Sequence, residues 1–261
     1  MKSQSLSQRS KRPDHGRRPR PTLPPSLRVE LSDVSVPRRL RENARDIASS
    51  FETIGNLSLL NQPTIAIIGS RHSSDKGLNL AARIAAAVAE IGGSVASGYA
   101  KGVDTAAHLG ALRAQGTTIF VLPFGIAHFS IKTELREYVN SLNFLAVSQF
   151  PSRQPWFASA AMKRNRLICA IAHAVVVVEA GESGGTVDGA RVAVEMRRPL
   201  YVVRYSSAPP SARGNEILLS QLPSHPLSNW RDVSGLVERL RTNSPSLVDT
   251  TSLVERQEAL F

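Results

Sequence analysis

Cysteine is nearly absent: Cys169 is the one thiol in 261 residues, so an internal disulfide is excluded. No apolar run approaches the roughly 20 residues that a membrane helix requires. The amino-terminal stretch MKSQSLSQRSKRPDHGRRPRP is charged but lacks the apolar centre of a secretory signal, which makes a cytoplasmic protein without membrane attachment the expectation. His, Cys, Asp and Glu nowhere group at metal-ligand spacing, so no metal site is expected. Glycine is scarce where a dinucleotide would need it. After the apolar run TIAII (64–68) comes Gly69, and the next glycine is Gly77, whereas the dinucleotide fingerprint asks for G-x-G-x-x-G there and an acidic residue closing the following strand. Glu90 has about the right spacing but falls inside the intervening helix, and the second strand ends in Ser97-Gly98. No cofactor is expected.

Hydrophobic residues make up 42% of the chain, enough for one sizeable domain. The formal net charge of +11 is unevenly spread: residues 1–45 hold twelve Lys/Arg against four acids and so carry +8 of it. A segment this rich in Pro, Ser and Arg buries too little apolar area to offset its ordering entropy. Residues 1–40 are therefore expected to be a disordered basic tail, either an accessory polyanion contact without sequence specificity or a solubilising extension. The folded domain is expected over 41–241. Residues 242–261, opening on TNSPSLVDTTS, read as a flexible carboxyl-terminal tail.

Within the domain, short apolar runs alternate with helical periods. Strands are expected at 64–68, 93–96, 117–122, 144–148, 174–179 and 199–204; most are continuously apolar, as strands covered on both faces are. Leu80, Ile84, Val88 and Ile91 form one helical stripe, and further helices are expected at 104–114, 132–140, 162–173, 186–196, 215–221 and 233–241. Six alternating units predict an α/β fold, a doubly wound, mostly parallel Rossmann-like sheet.

Ligands of such sheets sit beyond the carboxyl ends of the strands, where helix amino termini present free N–H groups. The corresponding loops here carry Arg71, Lys101 and the trio Lys163, Arg164 and Arg166. A cation near a helix amino terminus opposes the macrodipole by roughly 0.3–1 kcal/mol, so three such loops on one sheet edge imply a shared anion. Because they come from separated strands, they would span several phosphates, which points to a nucleic acid strand; a solvated loop charge is the competing assignment for any one of them.

Four blocks carry a family resemblance. GNLSLLNQPTIAIIGSR (55–71), SGYAKGVDTAAHLGAL (97–112), KRNRLICAIAHAVVVVEA (163–180) and ESGGTVDGA (182–190), with ARGNEIL after them, resemble the DNA-processing protein A family (DprA/Smf) in order and spacing over roughly 55–218. The resemblance implies an extended Rossmann-like domain that dimerises, binds single-stranded DNA in a basic pocket and hands it to the RecA recombinase in natural transformation or recombination, without catalysis. On this basis Arg71, with Gly69 and Ser70, matches the GSR whose arginine meets DNA phosphate. Lys101 occupies the basic position of the block that opens at Ser97. Arg164, Asn165 and Arg166 match RNR, with Lys163 beside them, and Lys132 stands near a DNA-binding lysine. Gly98, Gly102, Gly184 and Gly185, next to Thr186, would let backbone N–H groups approach phosphate. Tyr99, Phe129 and Trp156 are candidates for base stacking, a core position being the competing assignment for Trp156.

The sequence also departs from the family: Arg204-Tyr205 stands where the sixth strand usually ends in Pro-Gly, SGGTVD replaces SGSLIT, the loop before KRNR is altered, and no winged-helix domain follows. These differences bear on RecA loading and transformation more than on DNA binding. An alternative on the same fold is a nucleotide phosphoribohydrolase-like (lysine-decarboxylase-like) enzyme or a nucleotide sensor, although the glutamate that the enzyme motif requires after Thr186 is missing. Asp104 reads as the N-cap of its helix, His108 as a helix-surface or packing residue, and Cys169 as buried. The terminal QEALF places Gln257, Leu260 and Phe261 in the pattern of a sliding-clamp-binding pentapeptide, without the usual Leu at its second position; a frayed helix end is the alternative.

Overall fold

The computed structural model describes residues 23–242. In chain order it contains β1 (Leu27–Glu30), α1 (Arg38–Asn43), β2 (Ser50–Gly55), β3 (Thr64–Ile68), α2 (Asp75–Glu90), β4 (Ser94–Ser97), α3 (Val103–Arg113), β5 (Thr117–Val121), β6 (Phe144–Ser148), α4 (Ala158–Ile171), β7 (Ala174–Val177), α5 (Gly185–Glu195), β8 (Leu200–Val203), α6 (Arg213–Gln221), β9 (His225–Leu227) and α7 (Trp230–Thr242). The strands form one sheet in the order β1-β2-β6-β5-β4-β3-β7-β8-β9. β1 and β2 run antiparallel to their neighbours, and the ladder from β6 to β9 is parallel. Strand order reverses at β3: the chain builds outward through β4, β5 and β6, then returns to β3's other side with β7. That reversal opens a crevice at the carboxyl ends of β3 and β7.

The six apolar runs become β3 to β8 because both of their faces are covered. One face packs under α4, α5 and α1 through residues such as Leu167, Ile168, Val187 and Leu40. The other packs under α2, α3 and α7 through Ile84, Val88, Ala107, Trp230 and Leu236. A third cluster, rich in aromatics, joins Tyr99, Phe120, Phe129 and Phe144 at the β5–β6 side.

Three expectations are corrected. The basic segment does not stay free up to residue 40: Leu27–Glu30 pairs with Ser50–Gly55, and Val36 and Leu40 are buried under the sheet. Its few apolar residues suffice because β2 supplies a ladder partner, a pairing without sequence signature. Residues 132–140 form a single 3₁₀ turn, Thr133–Leu135, rather than a helix. The segment is pinned at both ends, where the Lys132 ammonium donates to the Ala100 carbonyl and Asn140 N–H donates to the Asn143 side chain. Asp104 is not the N-cap; Gly102 holds that position with φ of 73°, and Asp104 lies in the first turn of α3.

Candidate functional site

The crevice is a cleft of about 450 Å³, lined by the loops after β3 and β7 and by the amino-terminal turns of α4 and α5. A larger hollow of about 620 Å³ lies between β1 and α1, but Glu30 and Glu42 there offset Arg38, Arg41 and Arg45. Three helices begin at the cleft, α3 behind Gly102, α4 behind Phe157 and α5 behind Gly184, and none has a side-chain cap. Val103 N–H at the start of α3 donates to Ser70 O at 3.2 Å; the remaining free N–H groups and the partial positive charge of the three termini are left for a ligand or solvent. α2, by contrast, is capped by Ser74, whose Oγ accepts from Gly77 N–H at 3.0 Å.

Arg164 lies in the cleft wall, and its residue is 5% exposed. Its guanidinium makes no hydrogen bond or ion pair among the described residues, and Nε is fully enclosed without a partner. Burial pulls its pKa down to about 10; nearby Asp104 works against that fall, and Arg71 adds to it. A buried cation that no hydrogen bond or ion pair holds is costly even with Asp104 nearby, and an anion entering the cleft lowers that cost. Gly98 makes the arrangement feasible, because a Cβ there would overlap the guanidinium.

The other predicted residues divide sharply. Gly69, Ser70, Arg71, Asn165, Gly185, Thr186 and Trp156 line the cleft with Arg164. Arg71 is exposed, its guanidinium 5.6 Å from the Trp156 ring centroid. Trp156 is 49% exposed, so the core assignment fails for it, and Phe157 and Met162 beside it are exposed as well. Lys101 and Lys163 are exposed but do not line the cleft. Asn165 donates to the Gly185 carbonyl at 3.0 Å and to Asp188 at 2.9 Å, so its amide holds α5 against α4. Arg166 pairs with Glu195 at 2.8 Å on the side of α4 away from Arg164, as two residues of helical rotation require. Ser97 donates its hydroxyl to the Ile67 carbonyl at 2.6 Å and is buried.

Tyr99 and Phe129 are corrected. Both are buried, and their ring centroids lie 5.5 Å apart against Phe120, so neither face is open to a base. The Tyr99 hydroxyl donates to Ser130 O and accepts from Lys132 N–H, and burial raises its pKa to about 12. Lys132 also points inward: Nζ donates to Ala100 O at 2.7 Å and to Thr105 Oγ1 at 2.8 Å, and lies 4.6 Å from the Tyr99 ring centroid. Together they set the loop bearing Lys101, where Asp104 Oδ2 accepts from Ala100 N–H at 3.1 Å.

The hydroxyl that meets His108 is Thr118's, and its proton is given to a backbone carbonyl rather than to the ring. His108 is fully buried rather than on the helix surface, and its Nδ1 lies 2.7 Å from Thr118 Oγ1. Thr118 donates its own proton to Val95 O, so Nδ1 carries hydrogen and donates. Burial, with the charges of Lys132 and Arg164, keeps the ring neutral. Gln257, Leu260 and Phe261 lie outside the described residues. Among the described residues no three His, Cys, Asp or Glu side chains group as for a metal, and no helix is long and apolar enough to cross a membrane.

A mostly parallel nine-stranded α/β sheet with a cationic cleft at its reversal point defines a Rossmann-like protein. A family model for DNA recombination-mediator protein A matches residues 28–238, and the chain belongs to that family, DprA/Smf. It is 34% identical over 152 residues to the DNA processing protein DprA of Streptococcus pneumoniae, covering 57% of this chain and 53% of that one. Protein Smf of Escherichia coli is 31% identical over 173 residues, 64% of this chain and 45% of that one. The chain thus spans about half the length of these curated relatives. The X-ray structure of the S. pneumoniae DprA superposes with a TM-score of 0.71 at 28% identity, covering 81% of this chain and 73% of that one. The Helicobacter pylori protein, whose structure was studied for its single-stranded DNA binding mode, gives 0.70 at 23% identity, over 84% and 96% of the two chains.

Proposed function

We propose that this recombination-mediator family member holds single-stranded DNA by its phosphates in the cleft between β3 and β7 and passes it to a RecA-type recombinase. The observation that carries the reading is Arg164, a buried guanidinium without a partner among the described residues, placed where three uncapped helices begin. Arg71 at the rim and Lys101 in the adjacent loop extend positive charge beyond the reach of a single phosphate. The exposed Trp156 ring beside Arg71 supplies a face on which a base stacks, and a double helix, with its bases already stacked, cannot use it. No step of bond making or breaking enters the reading.

The test is anisotropy of a labelled oligothymidine titrated against salt. The log–log slope is expected to change by about 0.7 for each phosphate that the protein no longer neutralises, so Arg71→Ala should flatten it by about that amount. An unchanged slope and affinity in that variant would overturn the assignment. AMP incubated with the protein in parallel should remain intact. Homodimer formation and recombinase hand-over are read by sedimentation and by strand-exchange assays. Clamp binding by Gln257, Leu260 and Phe261 is read by loss of clamp association when the last five residues are removed.

A further inference from the structure

Glu179 follows β7 and is fully buried. It forms no ion pair among the described residues: what its carboxylate meets is a set of neutral donors. Ser73 Oγ donates at 2.6 Å and Ser74 N–H at 2.9 Å to one oxygen, and Ser74 Oγ donates at 2.5 Å to the other. These donors belong to the loop between β3 and α2, two and three residues beyond Arg71. The backbone adds a further tie, Ser70 N–H to Glu179 O at 2.7 Å. The first turn of α2 lies directly against the carboxylate, since a Cβ on Gly77 would overlap Oε1. Burial pushes the carboxyl upward, but the donors from Ser73, Ser74 and Ser211 outweigh it and hold the group below the usual glutamate range. Tyr205 crowds the same carboxylate from the loop after β8, its phenol kept protonated by burial and by Glu179.

At its start the loop from Gly69 to Ser74 is also tied to α3, where Val103 N–H donates to Ser70 O at 3.2 Å; beyond Ser70 its outward-facing part has, among the described residues, no other anchor than the Glu179 carboxylate and the Arg71–Trp156 contact. Arg71 and His72 are exposed, and His72 N–H bonds only within the loop, to Ser70 Oγ at 3.1 Å. An exposed arginine on an unanchored loop would lose backbone as well as side-chain freedom on meeting a phosphate. We propose that Glu179 is a positioning residue for strand binding: its buried carboxylate fixes Ser73 and Ser74 and thereby presents Arg71 at the cleft rim. This rests on the reading of the cleft as a strand site.

The experiment is a double-mutant cycle between Glu179→Gln and Arg71→Ala, read by oligothymidine affinity and salt slope. Glu179→Gln keeps the shape but puts an NH₂ where a hydroxyl now donates. The expected result is an affinity lower by about tenfold with a slope flatter by about 0.7, and no further weakening when Arg71→Ala is added. Additive effects would assign Glu179 a general structural role and overturn the proposal, as would wild-type affinity in Glu179→Gln while Arg71→Ala weakens binding. If Arg71→Ala itself changes nothing, the strand reading fails and the proposal with it. Ser73→Ala removes one donor and leaves the Ser74 cap; it is expected to show the same non-additivity with Arg71→Ala at smaller amplitude, and additivity there would equally refute the proposal should Glu179→Gln not fold.

Discussion

Arg164→Met separates binding from stability. Methionine approximates the length of the arginine stem and removes the charge from a position whose residue is 5% exposed. The fall of the guanidinium from 12.5 to about 10 corresponds to about 3 kcal/mol spent on keeping it charged in the free protein. With no hydrogen bond or ion pair to break among the described residues, the variant is expected to gain about 1–3 kcal/mol in urea unfolding. Strand affinity should move the other way. A charge-assisted hydrogen bond contributes about 1.5–3 kcal/mol, so affinity should fall by about 10- to 100-fold, with the salt slope flatter by about 0.7. Both are measured on one preparation, by circular dichroism and by anisotropy. A variant destabilised by more than about 1 kcal/mol with unchanged affinity would show that the guanidinium is internal structure and that the cleft floor is not a phosphate site.

Gly98→Ala drives a methyl into the same guanidinium; affinity should fall at least about tenfold together with stability, and Arg164→Met in the same chain should restore the stability but not the affinity. Lys132→Met removes donors to Ala100 O and Thr105 Oγ1. Chemical unfolding should report a destabilisation of about 1–3 kcal/mol with an unchanged salt slope, and a flatter slope would show that Lys132 meets phosphate instead. His173 Nδ1 accepts from Thr64 N–H at 2.9 Å, and burial, followed by the charge of Arg39, lowers its pKa from 6.5 to about 4. A depressed folded value means that the contribution is present above the unfolded pKa and lost on acidification. Stability should therefore fall between pH 6.5 and about 4, by up to about 3 kcal/mol before solvent screening, and His173→Asn should flatten that part of the profile.

The central strands were legible because β3 to β8 are covered on both faces, which leaves near-continuous apolar runs that tolerate no other reading. β1, β2 and β9 were not. Ser50–Gly55 mixes buried and part-exposed positions and includes Glu52, and its ladder exists only once Leu27–Glu30 arrives from a segment whose composition resembles a tail. His225–Leu227 is three residues with a proline, permissible at a sheet edge and invisible to periodicity. Of the site, the cationic loops were readable because Arg71 and the RNR block stand at strand-to-helix junctions. Phe157 and Met162 were missed; their signal was an apolar pair flanking the start of α4 that no core position claims.

Local chemistry in the chain thus determined the order of strands and helices and placed the cationic loops at the carboxyl ends of the strands, because strand burial follows residue pattern and the crossover between parallel strands has a fixed hand. Tertiary packing decided the use of each basic residue. The phase of α4 against the sheet turns Arg164 into the cleft and Arg166 outward to Glu195, a distinction of two residues that a motif cannot express. The left-handed backbone at Tyr99, with φ of 60°, swings its ring into the aromatic cluster, and Lys132 follows it inward to cap Ala100. Charge is written in the sequence, but whether a charge finds a partner or is left waiting for one depends on which groups the fold brings within hydrogen-bonding distance.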